Sequence, residues 1–388
     1  MVTDHSDAGV AALFLFHQGH LQDGGGGVQI ASHEYFETLR MAGLRLKPLE
    51  IPFDRRLWVR ARRLLWPNPY RNFFNPWKVI QTIRGAQEEE AHFIFLNQRS
   101  LAPLAKLLRD VIPLSSKIVL LSHGLESVDY LHKLRADGFV PFARVIRRQV
   151  RLLGWQLVEE SKQNIFLDHI FCLSPFDVEI ERWLGARSVS YLPRTIMTRS
   201  INWQPHYGRL GFVGRVDHPP NAEGLILFLE ALQKMAPPDV RLRVVGRPYA
   251  IGQAIARRFP VAEYLGVLSD RELEEEASTW TCFVHPLFCC ARGCSTKLGV
   301  ALGWNIPVVT TTYGCRGYTW REGRLPVAES PAGLVELALR MLDLEAARRA
   351  RAEICKIARS GPTVAEVAEL IRSSLSLPAL IQRERFGP

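Results

Sequence analysis

Short apolar runs alternate with longer amphipathic stretches along the whole chain. Most of the short runs are continuously apolar, which is typical of parallel strands that are covered by helices on both faces. This alternation predicts an α/β architecture. The predicted strands are Ala11–Phe16, Leu44–Ile51, Phe93–Leu96, Ile118–Leu121, His169–Leu173, Val189–Leu192, Arg209–Val213, Val240–Val245, Phe283–Pro286 and Val308–Thr311.

One stretch interrupts the alternation and predicts a domain boundary. Residues Arg194–Tyr207 lack periodicity and contain Pro, Asn and Ser, as linkers do. We therefore predict one domain over residues 1–197 and a second over 198–362. Residues 363–388 contain a last amphipathic segment, Val364–Ser374, which predicts a terminal helix. Other predicted helices are Gln29–Arg40, Glu223–Lys234 and Arg271–Ser278.

Composition places the chain among ordinary soluble globular proteins. It has 388 residues, of which 47% are hydrophobic and 23% charged, so it can bury a large core. Its seven cysteines are an odd number, which favours reduced thiols in a cytosol. The first apolar run is too short for a signal peptide or a membrane span. We expect a cytoplasmic protein.

The positive charge is concentrated in one segment. The net charge is +10, and Arg55–Gln87 holds seven Arg, one Lys and no acid. The remainder is nearly neutral, so no nucleic-acid partner is expected. A helical plot places Arg56, Arg60 and Arg63 together, and a similar pattern recurs in Phe142–Leu153. Basic residues beside aromatics indicate contact with an anionic membrane through residues 55–77, at the inner membrane face; the alternative is a solvated surface helix. The aromatics are Trp58, Trp66, Tyr70, Phe73, Phe74 and Trp77.

The strongest candidate for ligand binding is a glycine-containing turn before a helix-like segment. The turn reads Gly293-Cys294-Ser295-Thr296-Lys297, and a buried strand and a second glycine-rich turn follow it. Backbone N–H groups at a helix start, with a nearby Lys, form a site for phosphate. The unit is thus predicted to hold a phosphorylated ligand at the carboxyl end of a parallel sheet.

Two further candidates follow predicted strands in the first half. Gly26 and Gly27 end a run of four glycines after the first strand, where the backbone can approach a ligand closely; a flexible turn explains them equally well. The dinucleotide fingerprint G-x-G-x-x-G fails, because Gln29 or Ile30 stands at its sixth position. His123 follows a buried strand, where open α/β sheets place their chemistry, and a structural histidine is the alternative.

Gly214 and Arg215 follow the first strand of the second half. A guanidinium binds phosphate oxygens through two hydrogen bonds, so Arg215 is a candidate phosphate anchor. A lone Arg after a strand is otherwise usually a surface charge.

No metal site is predicted. The chain has no Asp-x-Asp pair, which metal-bridged diphosphate binding would need. Five cysteines lie between Cys282 and Cys315, around His285, but their spacing lacks the C-x₂-C pairs of structural zinc sites. Buried thiols are the better interpretation.

Taken together, these motifs resemble the group 1 (family 4-like) glycosyltransferases of the GT-B fold. The resemblance is strongest from Leu210 to Gly317. It rests on the order and spacing of several weak motifs: Gly211-Phe212-Val213-Gly214-Arg215, His218-Pro219-Pro220-Asn221, Leu242–Gly246 with Arg247-Pro248, Leu265-Gly266-Val267-Leu268, the Gly293–Lys297 turn with Pro307–Thr311, and Gly314–Gly317.

The resemblance implies two Rossmann-like domains with parallel sheets facing a central cleft, and a terminal helix that returns to the first domain. It implies a retaining, metal-independent enzyme without a cofactor, which moves a sugar from a UDP- or GDP-type donor to a glycan, lipid-linked or small-molecule acceptor. Arg215 and Lys297 would hold the diphosphate, and fixed cations would stabilise the leaving group. His123 would contact the donor sugar or the region where the cation develops, and His123, Arg215 and Lys297 would be the catalytic residues. Donor-binding residues would be Gly26, Gly27, Gly214, Arg215, Gly293, Ser295, Thr296 and Lys297.

The sequence departs from the family at two positions. The family often has Glu-x₇-Glu where this chain has Arg292 and Val300. Three explanations stay open: another residue such as Glu322 contacts the ribose, the donor differs, or activity is lost. The alternative functions are a GT-B binding protein without turnover, a sugar-nucleotide epimerase on the same scaffold, and a nicotinamide oxidoreductase, which the failed fingerprint disfavours.

Overall fold

The computed structural model describes residues 9–22, 26–54, 56–57, 75–86, 91–136 and 144–378. Within them, each half of the chain forms a six-stranded, all-parallel sheet. The order of the first sheet is β2-β1-β3-β4-β5-β6, and that of the second is β12-β11-β10-β7-β8-β9. The prediction of an α/β protein with two Rossmann-like sheets is confirmed.

The first half contains β1 to β6 and α1 to α6. The strands are β1 Val10–His17, β2 Leu44–Ile51, β3 Phe93–Asn97, β4 Lys117–Ser122, β5 His169–Cys172 and β6 Val189–Tyr191. The helices are α1 Gly27–Met41, α2 Pro76–Ala86, α3 Leu104–Arg109, α4 Glu126–Ala136, α5 Arg144–Asn164 and α6 Pro175–Trp183, with a 3₁₀ turn at Arg99–Leu101.

The second half contains β7 to β12, and α7 to α13 complete the chain. The strands are β7 Arg209–Val213, β8 Arg241–Val245, β9 Ala262–Gly266, β10 Cys282–His285, β11 Val308–Thr311 and β12 Val327–Ala328. The helices are α7 Pro219–Met235, α8 Tyr249–Arg258, α9 Asp270–Ala277, α10 Thr296–Gly303, α11 Pro331–Arg340, α12 Leu344–Ser360 and α13 Val364–Leu375.

Both faces of each sheet are buried, as the continuously apolar strands predict. On β3, Phe93 and Phe95 pack into one core cluster, whereas Ile94 and Leu96 pack into another on the opposite face. The predicted strands all form, with ends that shift by at most one residue. The sequence did not predict β9 and β12, two edge strands. β9 carries the half-exposed Glu263, so it has no apolar run to detect.

The last helix, α13, packs against the first half of the chain. A capping box between Thr363 and Glu366 begins it. Its apolar side chains, including Ile371, join the core cluster that contains Tyr35 on α1. Arg372 Nη1 also donates to the Ala42 carbonyl over 3.1 Å. The boundaries 1–197, 198–362 and 363–388 stay a prediction.

The basic segment of residues 55–77 lies largely outside the described residues. Of its described part, Leu57 and Trp77 are 80% and 77% exposed. Phe142 is likewise outside, but Arg147 and Arg151 on α5 are exposed. No helix in the described part of the chain is both long and apolar enough to cross a membrane.

Candidate active site

A hydrogen-bonded chain holds His123, which stands directly after β4. His123 Nε2 lies 2.9 Å from Asn97 Oδ1. Asn97 Nδ2 donates to Ser32 Oγ over 2.8 Å, and the Ser32 hydroxyl donates to the Val28 carbonyl over 2.8 Å. Because a carbonyl only accepts, this chain turns the Asn97 oxygen towards His123. His123 therefore carries its proton on Nε2, and Nδ1 is a hydrogen-bond acceptor.

His123 is neutral at physiological pH. Burial lowers its pKa to about 3, and the charges of His20, Arg194 and Arg292 lower it in the same direction. Its ring packs against Tyr35, with centroids 5.5 Å apart. A neutral imidazole can accept a hydrogen bond from a hydroxyl group and does not repel a cation that develops beside it.

The helix α10 begins without a side-chain cap. Its N-cap residue, Ser295, makes no capping hydrogen bond. Instead, Ser295 Oγ lies 2.8 Å from His285 Nε2, and Thr310 Oγ1 lies 2.9 Å from His285 Nδ1. Burial lowers the pKa of His285 well below its usual value, so the imidazole is neutral. The Ser295 hydroxyl is directed at His285 and does not cap α10, so no side chain of the N-cap residue accepts from the first N–H groups of this helix.

A second uncapped helix start meets α10 from the first half. Gly26 is the N-cap of α1 and has no side chain, and neither helix has an acid in its first turn. Thr296 Oγ1 lies 3.4 Å from the Gly27 carbonyl, and a Cβ on Gly27 would lie 2.7 Å from that hydroxyl. Each start carries a partial positive charge, so the convergence is suited to an anion. The preceding glycines, Gly24 and Gly25, lie outside the described residues.

Lys297 lies beside the two helix starts. Its ammonium occupies the space that a Cβ on Gly214 would fill, and it stands 5.5 Å from the centroid of the Phe212 ring. Within the described residues, Lys297 forms no ion pair with a carboxylate. Burial lowers its pKa to about 7. Lys297 is thus a half-buried cation without a counter-ion, as an anion site requires.

Arg215 is placed differently from Lys297. Its guanidinium side chain is 59% exposed and pairs with Asp217, with Nη2 2.6 Å from Oδ2. The Arg215 carbonyl accepts from Asn221 Nδ2 at the start of α7. A phosphate bound by Arg215 would therefore compete with Asp217 for the guanidinium or share it.

The turns that carry His123 and Gly293 touch across the cleft. Gly124 and Gly293 have φ values of 94° and 61°, and a Cβ on either residue would collide with the backbone of the other turn. The Gly293 N–H also points at Asp177 Oδ1, 3.4 Å away at the start of α6. The structure thus brings together the predicted site residues His123, Gly26, Gly27, Gly214, Gly293, Ser295, Thr296 and Lys297.

The sequence analysis missed two acids that contact this turn. Glu126 and Asp129, in the first turn of α4, both pair with Arg292, and Asp129 Oδ2 lies 3.0 Å from Arg292 Nε. A signal was present, because a helix that opens with two acids three positions apart directly follows the His123-Gly124 turn. Arg292, where the family has an acid, faces acids supplied by the other half of the chain.

Two further residues bear on this departure from the family, Val300 and Glu322. Neither belongs to the cluster of site residues. Val300, on α10, is half-buried and packs against an apolar core cluster, and its side chain offers no acceptor for a hydroxyl. Glu322 is exposed, and its backbone exchanges hydrogen bonds with the Ser360 hydroxyl at the end of α12.

The cysteines near the site are buried or half-buried thiols. All seven in the chain are free. Burial raises the pKa of Cys294 to about 11 and that of Cys289 to about 12, so both stay protonated at neutral pH. In the described part of the chain, no group of three or more His, Cys, Asp or Glu side chains is arranged to hold a metal ion.

Comparisons with known proteins agree with this architecture. Residues 208–343 match the family model of glycosyl transferases group 1. Comparison with curated proteins gave no match. A sucrose-phosphate synthase from Thermosynechococcus elongatus is similar in structure, with a TM-score of 0.68 and 13% identity over 95% of this chain and 100% of that one.

Two other solved structures share the fold. HepE from Anabaena, in complex with UDP and glucose, has a TM-score of 0.61 and 15% identity over 95% of this chain and 99% of its own. The lipopolysaccharide outer core galactosyltransferase WaaB has a TM-score of 0.57 and 13% identity over 94% and 99%. Residues 208–343 are thus similar to glycosyl transferases of group 1, and the two six-stranded parallel sheets and the structural matches give the whole chain the GT-B fold.

Proposed function

We propose that this enzyme transfers a sugar from a nucleoside-diphosphate sugar with retention and without a metal ion. The observation that carries the proposal is the convergence of two uncapped helix starts, at Gly27 and Thr296, beside Lys297, which pairs with no carboxylate of the described residues. Such a site suits a diphosphate, because backbone N–H groups and a fixed cation stabilise its charge as the glycosidic bond breaks.

The proposed roles follow from these positions. Lys297 and the N–H groups of Ser295 and Thr296 bind the diphosphate, and the Gly26-Gly27 start of α1 approaches it from the other side of the cleft. His123 accepts a hydrogen bond from a donor-sugar hydroxyl at Nδ1. Gly214 leaves room for Lys297, Gly293 allows the contact between the turns, and Arg215 joins the phosphates by leaving Asp217.

UDP is the first nucleotide to test and GDP the second. HepE has been crystallised in complex with UDP and with UDP-glucose, and its fold is shared. A thermal-shift screen of UDP, GDP and their sugars should raise Tm for one nucleotide series. Lys297→Ala and Arg215→Ala should each lose that shift, whereas Arg257→Ala, at an exposed position on α8, should keep it. If both site variants bind as the native chain does, the assigned site is wrong.

Metal independence has its own test. The sequence offers no Asp-x-Asp pair, and the proposed cations are side chains and helix ends. We expect EDTA to leave transfer unchanged. Complete loss that Mg²⁺ or Mn²⁺ restores would contradict the mechanism.

A binding protein without turnover is the second candidate. Val300 has an apolar side chain that cannot accept a hydrogen bond from ribose hydroxyls, and Arg292 is engaged with acids of the first half. This candidate predicts that UDP or GDP binds, while no nucleotide is released from any nucleotide sugar with broad acceptor mixtures. Nucleotide release above the background of a Lys297→Ala control would exclude it.

We propose a glycan or lipid-linked acceptor, reached from an anionic inner membrane surface through residues 55–77. The support is the +8 charge of Arg55–Gln87 and its aromatic residues. Anionic vesicles should co-sediment with the chain at low salt and release it at high salt, and an Arg56, Arg60, Arg63→Glu variant should bind less. No binding at low salt would leave a soluble acceptor as the better proposal.

A further inference from the structure

The first turn of α4 contacts Arg292, which directly precedes the Gly293–Lys297 turn in the second half of the chain. Arg292 pairs with Glu126 through Nη1 and with Asp129 through Nε, the latter over 3.0 Å. The Arg292 N–H also donates to Asp129 Oδ1 over 3.1 Å. Its side chain is 26% exposed and that of Asp129 is 13% exposed, so the pairs are partly shielded from water. Such charged pairs are stronger than fully exposed ones.

Asp129 also reaches a second donor-side loop. His218 Nε2, at the N-cap of α7, lies 3.1 Å from Asp129 Oδ2. The loop that ends at His218 begins with Gly214 and Arg215. One carboxylate therefore joins both loops that flank Lys297. Burial raises the pKa of Asp129, but the hydrogen bond with His218 and the charge of Arg292 outweigh it and hold the pKa below its usual value, so the carboxylate is ionised.

We propose that Glu126, Asp129, Arg292 and His218 form an interdomain clasp that positions the diphosphate site. The clasp holds the Gly293–Lys297 turn against the first half and keeps the starts of α1 and α10 together. Arg292 acts through Asp129 and Glu126 and does not bind the donor directly. This inference rests on the proposed function, because the positioned turn is the proposed diphosphate site.

The clasp can be tested by UDP titration calorimetry and small-angle scattering on full-length variants. We expect Asp129→Asn and Arg292→Gln each to raise the Kd for UDP at least about fivefold, because the apparent Kd scales inversely with the fraction of closed protein. The radius of gyration should increase in both. The Kd of the double variant should exceed that of the single variant with the lower affinity by no more than about threefold. The reason is that the contact between Arg292 and Asp129 is already lost in each single variant.

Matched variants separate a positioning role from a structural one. Arg292→Lys keeps the charge and should recover most of the UDP affinity. Glu345→Gln removes an exposed pair with Arg348 on α12 and should change nothing. A lower Tm with unchanged Kd and unchanged scattering would show a merely structural contact and overturn the proposal. Tighter UDP binding in Asp129→Asn, with loss in Arg292→Gln, would make Arg292 a direct ligand and also overturn it.

The clasp can also be tested on the native chain, so that the result does not depend on the folding of a variant. High salt screens partly exposed ion pairs, so ligand-free protein should expand between 0.1 M and 1 M NaCl, where the Debye length falls from about 10 Å to about 3 Å. A constant radius of gyration would overturn the clasp. If neither UDP nor GDP binds the native chain at all, the proposed function fails, and the scattering result still decides whether the clasp exists.

Discussion

Binding of a nucleoside diphosphate should take up a proton at Lys297. Burial holds the pKa of the free ammonium at about 7, and no carboxylate in the described residues pairs with it. A bound diphosphate stabilises the charged form, so the pKa of Lys297 rises on binding towards its ordinary value of about 10.4. Above pH 7 the free lysine is mostly neutral and must be protonated to bind the anion. Affinity must therefore fall as the pH rises.

The size of this effect follows from the two pKa values. Free Lys297 is half protonated at pH 7 and about 1% protonated at pH 9, whereas the bound form stays charged at both. The Kd for UDP should rise about 50-fold between these pH values, which corresponds to about 2.3 kcal/mol. Proton uptake should be about half a proton at pH 7 and about 0.9 at pH 8.

Isothermal titration calorimetry in buffers of different ionisation enthalpy measures both quantities. Lys297→Arg keeps its charge throughout and should flatten the pH profile while it retains binding. Lys297→Met should bind weakly at pH 7, with an equally flat profile. Cys294 does not interfere, because burial raises its pKa to about 11. A Kd of the native chain that changes less than about threefold from pH 7 to 9 would refute the reasoning. So would a Lys297→Met variant whose Kd depends on pH as strongly as that of the native chain.

Three further predictions concern packing and turnover. Gly27→Val places a side chain against the Thr296 hydroxyl and should lower transfer at least about tenfold, measured as nucleotide release, with little change in Tm. Gly154→Ala, inside α5 with open space around it, should stabilise the chain by about 0.5–1 kcal/mol in urea unfolding; destabilisation would contradict this. Glu181→Gln leaves the buried Arg99 without its 3.1 Å carboxylate and should cost about 3–5 kcal/mol in the same assay; a loss below about 1 kcal/mol would contradict a tight buried pair.

The sequence predicts those parts of the fold that depend on local pattern. Val308–Thr311 appears with the predicted bounds, because a run buried on both faces must be apolar along its length. The edge strand Ala262–Gly266 was not predicted, because Glu263 is half-exposed and pairs with Arg243 over 2.6 Å. A continuous apolar run reports burial on both faces, so a short strand that carries an exposed charge lacks this signal.

The cross-cleft contacts of the site could not be read from local pattern. Glu126 and Arg292 are 166 positions apart, and they meet only because two sheets face each other in one orientation. The sequence analysis identified Arg292 as a departure from the family but had no means to find its partner. Periodicity fixes which face of a helix is buried, whereas the pairing of charges between halves depends on rigid-body placement.

The paired and unpaired charges at the cleft have different uses. Arg292 is engaged by acids from α4, so the proposed diphosphate site takes its positive charge from Lys297 and the starts of α1 and α10. Each helix start contributes about +0.5, and protonated Lys297 adds one charge, for a total of about +2. This balances the two negative charges of a nucleotide-sugar diphosphate. When the glycosidic bond breaks, the leaving group gains a further negative charge, and a further cation is needed. We infer that Arg215, which follows Gly214 and is held in solvent by Asp217, supplies that charge in the transition state.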